Sequence, residues 1–233
     1  MTAAQFAIQA RSLRYAWPGG EAVIDLPALE VTTGEKLFVA GPSGSGKSTL
    51  LGLLGGVLAP SQGELEVIGH SLPLLAPSQR DRFRADHVGF IFQMFNLVPY
   101  LPVLENVMLP THFSKRRRKR AGSASVRVRD EALRLLDALE LTDGALHTRT
   151  PGTLSIGQQQ RVAAARSLIG SPELIIADEP TSALDHDVRQ VFINLLFDEV
   201  AGTGATLLFI SHDPGLADQF DRRIKLTDIN ELH

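Results

Sequence analysis

The 233-residue chain has no cysteine, which excludes a disulfide framework, a thiolate-held metal and a catalytic thiol. It has no excess of positive charge either. Lys and Arg number 23 against 26 Asp and Glu, a formal net charge of −3, so the chain as a whole is not a basic nucleic-acid binder. Long apolar runs are also missing. Leu50–Ala59 carries three glycines, and Val88–Leu104 is broken by Gln93, Asn96 and two prolines. Neither reaches the roughly 20 apolar residues of a membrane span. The opening MTAAQFAIQARSLRY lacks the basic start and apolar core of a secretory leader. No repeat recurs at a fixed period. The remaining composition, 44% hydrophobic and 21% charged, is that of an ordinary globular protein and excludes wholesale disorder.

Apolar periodicity predicts an alternating α/β chain. Strands are expected at Phe6–Leu13, Ala22–Val31, Lys36–Ala40, Glu64–Ile68, His87–Phe92, Leu174–Asp178, Ala205–Ser211 and Arg223–Leu226. The turn Pro18-Gly19-Gly20 makes the first two an antiparallel pair. Helices are expected from Gly46 to Gly55-Gly56, near Ser125–Leu141, over Gly157–Ile169 and over Asp187–Val200. Between Pro102 and Leu168 no strand pattern occurs, so a helical lobe at 102–168 is expected as an insertion into a mostly parallel sheet, the whole of 1–233 forming one domain.

Gly41-Pro42-Ser43-Gly44-Ser45-Gly46-Lys47-Ser48 matches G-x-x-x-x-G-K-[ST] between a strand and a helix. Glycines let successive backbone N–H groups converge on phosphates, and the helix N-terminus adds its positive end. Lys47 is expected to reach the β- and γ-phosphates and the Ser48 hydroxyl to ligate Mg²⁺, with Thr49 completing the nucleotide-contacting run. Leu174–Asp178 is an apolar strand ending in a carboxylate. Asp178 is placed to hold Mg²⁺ through water, and Glu179 to polarise an attacking water.

Leu154-Ser155-Ile156-Gly157-Gln158-Gln159-Gln160-Arg161 opens a helix between these two motifs. With Gln93 46 residues after Lys47, Ser182-Ala183-Leu184-Asp185 after Glu179, and Ile210-Ser211-His212-Asp213, the ordered set resembles the ATP-binding cassette (ABC) ATPases over nearly the whole chain. The resemblance implies a P-loop NTPase fold with an N-terminal antiparallel β subdomain and an inserted α-helical lobe. It implies ATP and Mg²⁺ as ligands, and a head-to-tail homodimer across two nucleotides. Ser155 and Gly157, with Gln158 beside them, would meet the γ-phosphate held by the opposite subunit. By the same likeness Gln93 senses Mg²⁺ and the attacking water and couples to a membrane permease, His212 contacts the γ-phosphate, and Asp185 links the two sites. Tyr15, 26 residues before Gly41, resembles the aromatic that stacks on adenine, with Trp17 as its competitor. One departure stands at Ile156, where the family usually has glycine. A β-branched residue avoids positive φ, so 156 is expected either in ordinary backbone or under strain. Phe90–Pro99 and Leu104-Glu105-Asn106-Val107 resemble the branch of MacB and the lipoprotein-release ATPase. That branch implies a place on the cytoplasmic face of the inner membrane beside integral permease subunits.

Lys115-Arg116-Arg117-Arg118-Lys119-Arg120 contributes +6, leaving −9 on the other 227 residues. The run reads first as a solvated, mobile loop. Attraction to anionic lipid or to an acidic permease segment is the alternative; nucleic acid fits poorly because no aromatics interleave with the charges. Among rival functions, a ribosomal or DNA-repair cassette needs two cassettes or long coiled-coil insertions. A GTPase needs Asn-Lys-x-Asp, and no asparagine here precedes lysine. A nucleotide-binding regulator without transport remains open at this point.

Overall fold

The computed structural model describes residues 5–42 and 44–232. The chain runs β1 (Phe6–Ala16), β2 (Ala22–Thr32), β3 (Lys36–Ala40), α1 (Lys47–Leu54), β4 (Gln62–Val67), β5 (His70–Ser71), α2 (Pro77–His87) and β6 (Val88–Ile91). It continues through α3 (Val103–Met108), α4 (Pro110–Phe113), α5 (Lys115–Arg120), α6 (Ser125–Ala138), α7 (Ile156–Leu168), β7 (Leu174–Asp178), α8 (His186–Thr203), β8 (Thr206–Ile210), β9 (Arg222–Lys225) and α9 (Leu226–Ile229). The first sheet is antiparallel in the order β2-β1-β4-β5; the second has the order β6-β7-β8-β3-β9, with every pairing parallel. Among the described residues, Val103–Leu168 contains helices and turns only, as the missing strand pattern requires.

The continuous apolar runs have a direct cause. Along β8, Leu207 and Phe209 enter one core cluster and Leu208 and Ile210 the other. Alternate side chains point to opposite faces of a strand, and both faces of the parallel sheet are covered. The antiparallel sheet and α1 close one side; α7, α8 and the helical lobe close the other. This burial places the carboxyl ends of β3, β7 and β8 together on one rim, where open α/β sheets bind ligands.

Two segments depart from expectation. Helix α2 buries only Phe83, so it carries no apolar stripe for periodicity to detect. Pro77 at its first turn and the Gln79 Oε1 bond from Ala76 N (2.8 Å) start it instead. The basic run is not a mobile loop. It is helix α5, capped by Ser114 Oγ, which accepts from Arg117 N. Arg117 is only 3% exposed and donates to Ile169 O at 2.7 Å and Ser167 O at 2.6 Å, with longer bonds to Val88 O and Arg166 O. Burial lowers its guanidinium to about 9, still protonated at neutral pH. A Cβ on Gly170 (φ +70°) would lie 2.5 Å from Arg117 O, so the two backbones meet only because residue 170 is glycine. Glu173 takes ion pairs from Arg116 and Arg120 and lies 3.2 Å from His87 Nδ1.

Candidate functional site

The loop from Gly41 joins β3 to α1. Gly44 (φ +83°) and Gly46 (φ +94°) occupy the left-handed region, and a Cβ on Gly46 would come within 2.9 Å of Ile24 Cδ1 and 3.2 Å of Val23 O. Side chains are thus excluded where the backbone must curl. Lys47 Nζ donates to Gly41 O (2.7 Å) and Pro42 O (2.8 Å), spanning the loop. Ser45 Oγ is buried and has no hydrogen-bond partner among the described residues. Ser43, expected in this set, lies outside the described residues.

A cleft of about 330 Å³ is lined by Gly44, Gly46, Lys47, Ser48, Thr49, Gln93, Asp178 and Glu179, with Val23 at its edge. It brings together the cradle, both carboxylates and the exposed Gln93 from distant parts of the chain. Burial and the neighbouring Glu179 push the Asp178 carboxyl up, while Lys47 opposes them. A cationic centre at this rim would relieve both pressures, so the donor set, a hydroxyl, an amide and a carboxylate, suits a hard divalent ion. Backbone curl, an unpaired buried hydroxyl and a lysine together suit a polyphosphate.

Glu179 carries φ +44°, an uncommon value for a non-glycine residue and one that concentrates at functional sites. Its N–H donates to Ile210 O at 3.0 Å, tying the end of β7 to the end of β8. Oε2 of Glu179 lies 3.0 Å from Nδ1 of His212. His212 is 64% exposed at its side chain and Glu179 18%, so the ring overhangs a sheltered carboxylate.

Ser155, Gly157, Gln158 and Asp185 do not line this cleft. Ser155 caps α7. Its Oγ accepts from Gln158 N (3.3 Å), and Gln158 Oε1 accepts from Ser155 N (3.0 Å), a reciprocal box that commits the Gln158 side chain to the cap. Ile156 is the first helical residue, shows no positive φ and is 51% exposed; ordinary backbone is the outcome there, without strain. Added at Gly157, a Cβ would make ordinary contacts with Val188 (3.5 Å) and Leu184 (3.9 Å). Glycine at 157 is therefore not demanded by the chain's own packing. Asp185 caps α8, accepting from Val188 N at 3.0 Å.

Tyr15 is 7% exposed and meets Trp17 edge-on at 5.3 Å, whereas Trp17 is 48% exposed. Sequence reasoning missed Arg166. From α7 it donates to Phe95 O (2.5 Å) and Asn96 O (2.6 Å), at two residues with positive φ just past Gln93. Burial lowers its guanidinium to about 10. A larger cleft, about 760 Å³, runs from Ser48 and Asp178 outward between Leu51, Val57, Phe90, Phe92, Pro110 and Phe113. Phe113 and nearby Met94 are 70% and 80% exposed. No helix among the described residues is long and apolar enough to cross a membrane.

Comparison with known proteins agrees with this geometry. Residues 25–182 match the family model described as ABC transporter. The macrolide export ATP-binding/permease protein MacB of Rhodopseudomonas palustris is 40% identical over 97% of this chain, which spans 33% of that protein's length. The lipoprotein-releasing system ATP-binding protein LolD 2 of Rhodospirillum rubrum is 38% identical over 95% of this chain and 94% of its own; LolD of Bacteroides fragilis is 37% identical over 87% and 89%. Among solved structures, the dimeric post-hydrolysis state of the ATP-binding cassette MJ0796 bound to ADP and Pi superposes with a TM-score of 0.83 at 34% identity, covering 94% of this chain and 93% of that one. A cradle, paired carboxylates and an overhanging histidine on the rim of a parallel sheet thus meet an independent match of sequence and fold: the chain belongs to the ABC transporter family, as an ATP-binding ATPase cassette.

Proposed function

We propose that two copies of this chain clamp two MgATP molecules, hydrolyse them, and in doing so drive a permease of the MacB or lipoprotein-release type. The observation that carries the reading is the Glu179–His212 pair, 3.0 Å apart, beside the cleft that Lys47, Ser48 and Asp178 line. The phosphates lie on the N–H groups of Gly44–Thr49, and Lys47 exchanges its carbonyl partners for the β- and γ-phosphates. Ser48, Gln93 and Asp178 would hold Mg²⁺, which supplies positive charge against the phosphate oxygens. Glu179 takes the proton of the attacking water at its carboxylate, and His212 steadies that carboxylate while its exposed ring meets the γ-phosphate. Tyr15 and Trp17 form the candidate adenine platform, Trp17 offering the exposed ring.

Ser155, Gly157 and Asp185 serve the other copy's nucleotide. Two features support this: none of them lines the cleft of its own chain, and a Cβ on Gly157 would meet only ordinary contacts with Val188 and Leu184. The apolar cleft beside Gln93 is the proposed seat of the permease, on the cytoplasmic face of the membrane, for export, extraction or transmission of motion. Lys115, Arg118 and Lys119 are the exposed cations of α5 without a described ion pair, Arg118 making only long bonds to Ser123 O (3.4 Å) and Ser125 Oγ (3.5 Å), and they are the residues left for anionic lipid. Nucleic acid is not a proposed partner. Purified protein should hydrolyse MgATP, and Glu179→Gln should do so at least about 100-fold more slowly while still binding the nucleotide. Unchanged turnover in that variant would overturn the assignment.

A further inference from the structure

Helix α8 begins directly after Asp185, and its first turn carries Arg189. That side chain reaches two loops at once. Nη2 donates to Leu184 O at 3.1 Å, and Nη1 is bonded to Asp213 Oδ2, the residue after His212. The guanidinium is mostly enclosed, at 21% exposure, and its Nε is buried with no partner among the described residues. Asp213 is itself held on every side. Its Oδ1 accepts from Gly215 N (3.0 Å), and its own N–H donates to Ser211 Oγ (3.1 Å). On the other side, Leu184 N donates to Thr181 O (3.2 Å) and Ser182 N to Glu179 O (3.2 Å). A closed circuit results. From Glu179 it passes through the turn to Leu184, across Arg189 to Asp213, along the chain to His212, and back to Glu179 by the 3.0 Å contact.

We propose that Arg189 is a positioning residue for hydrolysis: its forked guanidinium locks the Asp185 loop to the His212 loop, and so fixes His212 against Glu179. The inference rests on the reading of Glu179 and His212 given above. Without the brace those two groups share one hydrogen bond between a half-exposed ring and a carboxylate, and such a contact alone does not hold an imidazole's direction. A planar fork can serve a carbonyl and a carboxylate together, which a lysine ammonium at the end of a flexible stem cannot. Arg189 lines neither the cradle nor the Mg²⁺ residues, so nucleotide affinity should not depend on it.

The test compares Arg189→Gln, Arg189→Lys, Asp213→Asn and the double variant Arg189→Gln/Asp213→Asn, measuring turnover, KM, MgATP affinity by calorimetry and thermal midpoint. All three single changes should lower kcat about tenfold, with KM and MgATP affinity within about twofold of wild type. The double variant should be no slower than the slower single, because one contact is being broken twice. A kcat within twofold of wild type, a rise in KM at unchanged kcat, independent multiplying losses, or full activity in Arg189→Lys would each overturn the proposal. Should Arg189→Gln not fold, Asp213→Asn, which keeps the bond to Leu184, carries the same expectation. Glu179→Gln run alongside separates the two claims. If it abolishes turnover and the brace variants do not, only the brace is wrong; if it too leaves turnover intact, the reading of the site is wrong.

Discussion

The phosphate cradle and helix α5 are both short runs of unusual composition, and they work in opposite ways. The cradle borders an open cleft through Gly44, Gly46, Lys47, Ser48 and Thr49. In the reading proposed above, its glycines, its lysine bridging two of the loop's own carbonyls and its unpaired Ser45 hydroxyl serve a ligand. Lys115–Arg120 turns inward: Arg117 is buried and spent on carbonyls of α7 and the segment after it, and Arg116 and Arg120 are spent on Glu173. A strongly charged run is thus not by itself a binding surface. What decides is whether its donors are sealed in the core, as those of Arg117 are, or stand on the wall of a cleft, as Lys47 does.

This contrast breaks cleanly under mutation. Lys47→Ala should lower ATP turnover at least about 100-fold, the loss of a positioned charge on the transferred phosphate, with a thermal midpoint within about 2 °C of wild type. Arg117→Ala should do the reverse. Two short buried bonds and the packing of the stem are lost, about 2–4 kcal/mol, or a fall of about 5–12 °C in midpoint for a chain of this size, while KM for ATP at a temperature where the variant is folded stays within about twofold. Equal effects of both variants on both measurements would dissolve the distinction. Wholesale replacement of Lys115–Arg120 by Ser and Gly should therefore destabilise the protein.

Acid sharpens the same point. Burial alone would raise the Glu173 carboxyl, but hydrogen bonds from His87 and Arg116 and the charge of Arg120 outweigh it and hold the group at about 2, against an ordinary 4.5. The folded state therefore favours the carboxylate. That stability is complete above about pH 4.5 and disappears as pH falls toward about 2. Glu173→Gln should melt lower than wild type at pH 7, and the gap should close between pH 5 and 2 in a series of thermal melts. A gap independent of pH would mean that the pairs contribute nothing through charge.

Smaller effects are expected at Ile156 and at the three cations of α5 without an ion pair. Ile156 has ordinary helical backbone, so Ile156→Gly relieves no strain; helix propensity at a first-turn position is worth less than about 1 kcal/mol, and hydrolysis should stay within about threefold. A larger loss would show that the exposed Ile156 side chain meets the partner copy. Lys115→Ser/Arg118→Ser/Lys119→Ser should leave the midpoint within about 2 °C. Any salt-sensitive binding of wild type to anionic vesicles should be absent in this variant; equal binding by both would remove α5 from consideration as a lipid contact.

Legibility followed the same divide. The cradle, Asp178, Glu179 and His212 could be read because their chemistry is written in consecutive residues at strand ends, and the sheet had only to bring those ends to one rim. The parallel sheet was legible because apolar runs buried on both faces leave a continuous signature, and the antiparallel sheet because buried and exposed residues alternate along β1, β2 and β4. Helices α2 and α5 were not, because each buries a single side chain, Phe83 or Arg117, and amphipathic periodicity needs a stripe. Partners of Arg117 at Ser167 and Ile169 lie 50 and 52 positions away, beyond any local pattern. The positive φ of Glu179, the grip of Arg166 on the backbone after Gln93 and the brace at Arg189 are products of tertiary structure alone.

The central claim is that ATP, held on one copy's cradle, draws the Ser155 and Gly157 end of a second copy onto it, with Glu179 needed only for the chemistry that follows. Sedimentation of Glu179→Gln at saturating MgATP tests this most directly. The account predicts a stable dimer with MgATP, monomers with MgADP, and monomers again when Gly157→Glu is added, although that variant folds and still binds nucleotide. A Glu179→Gln chain that binds MgATP and stays monomeric would contradict it.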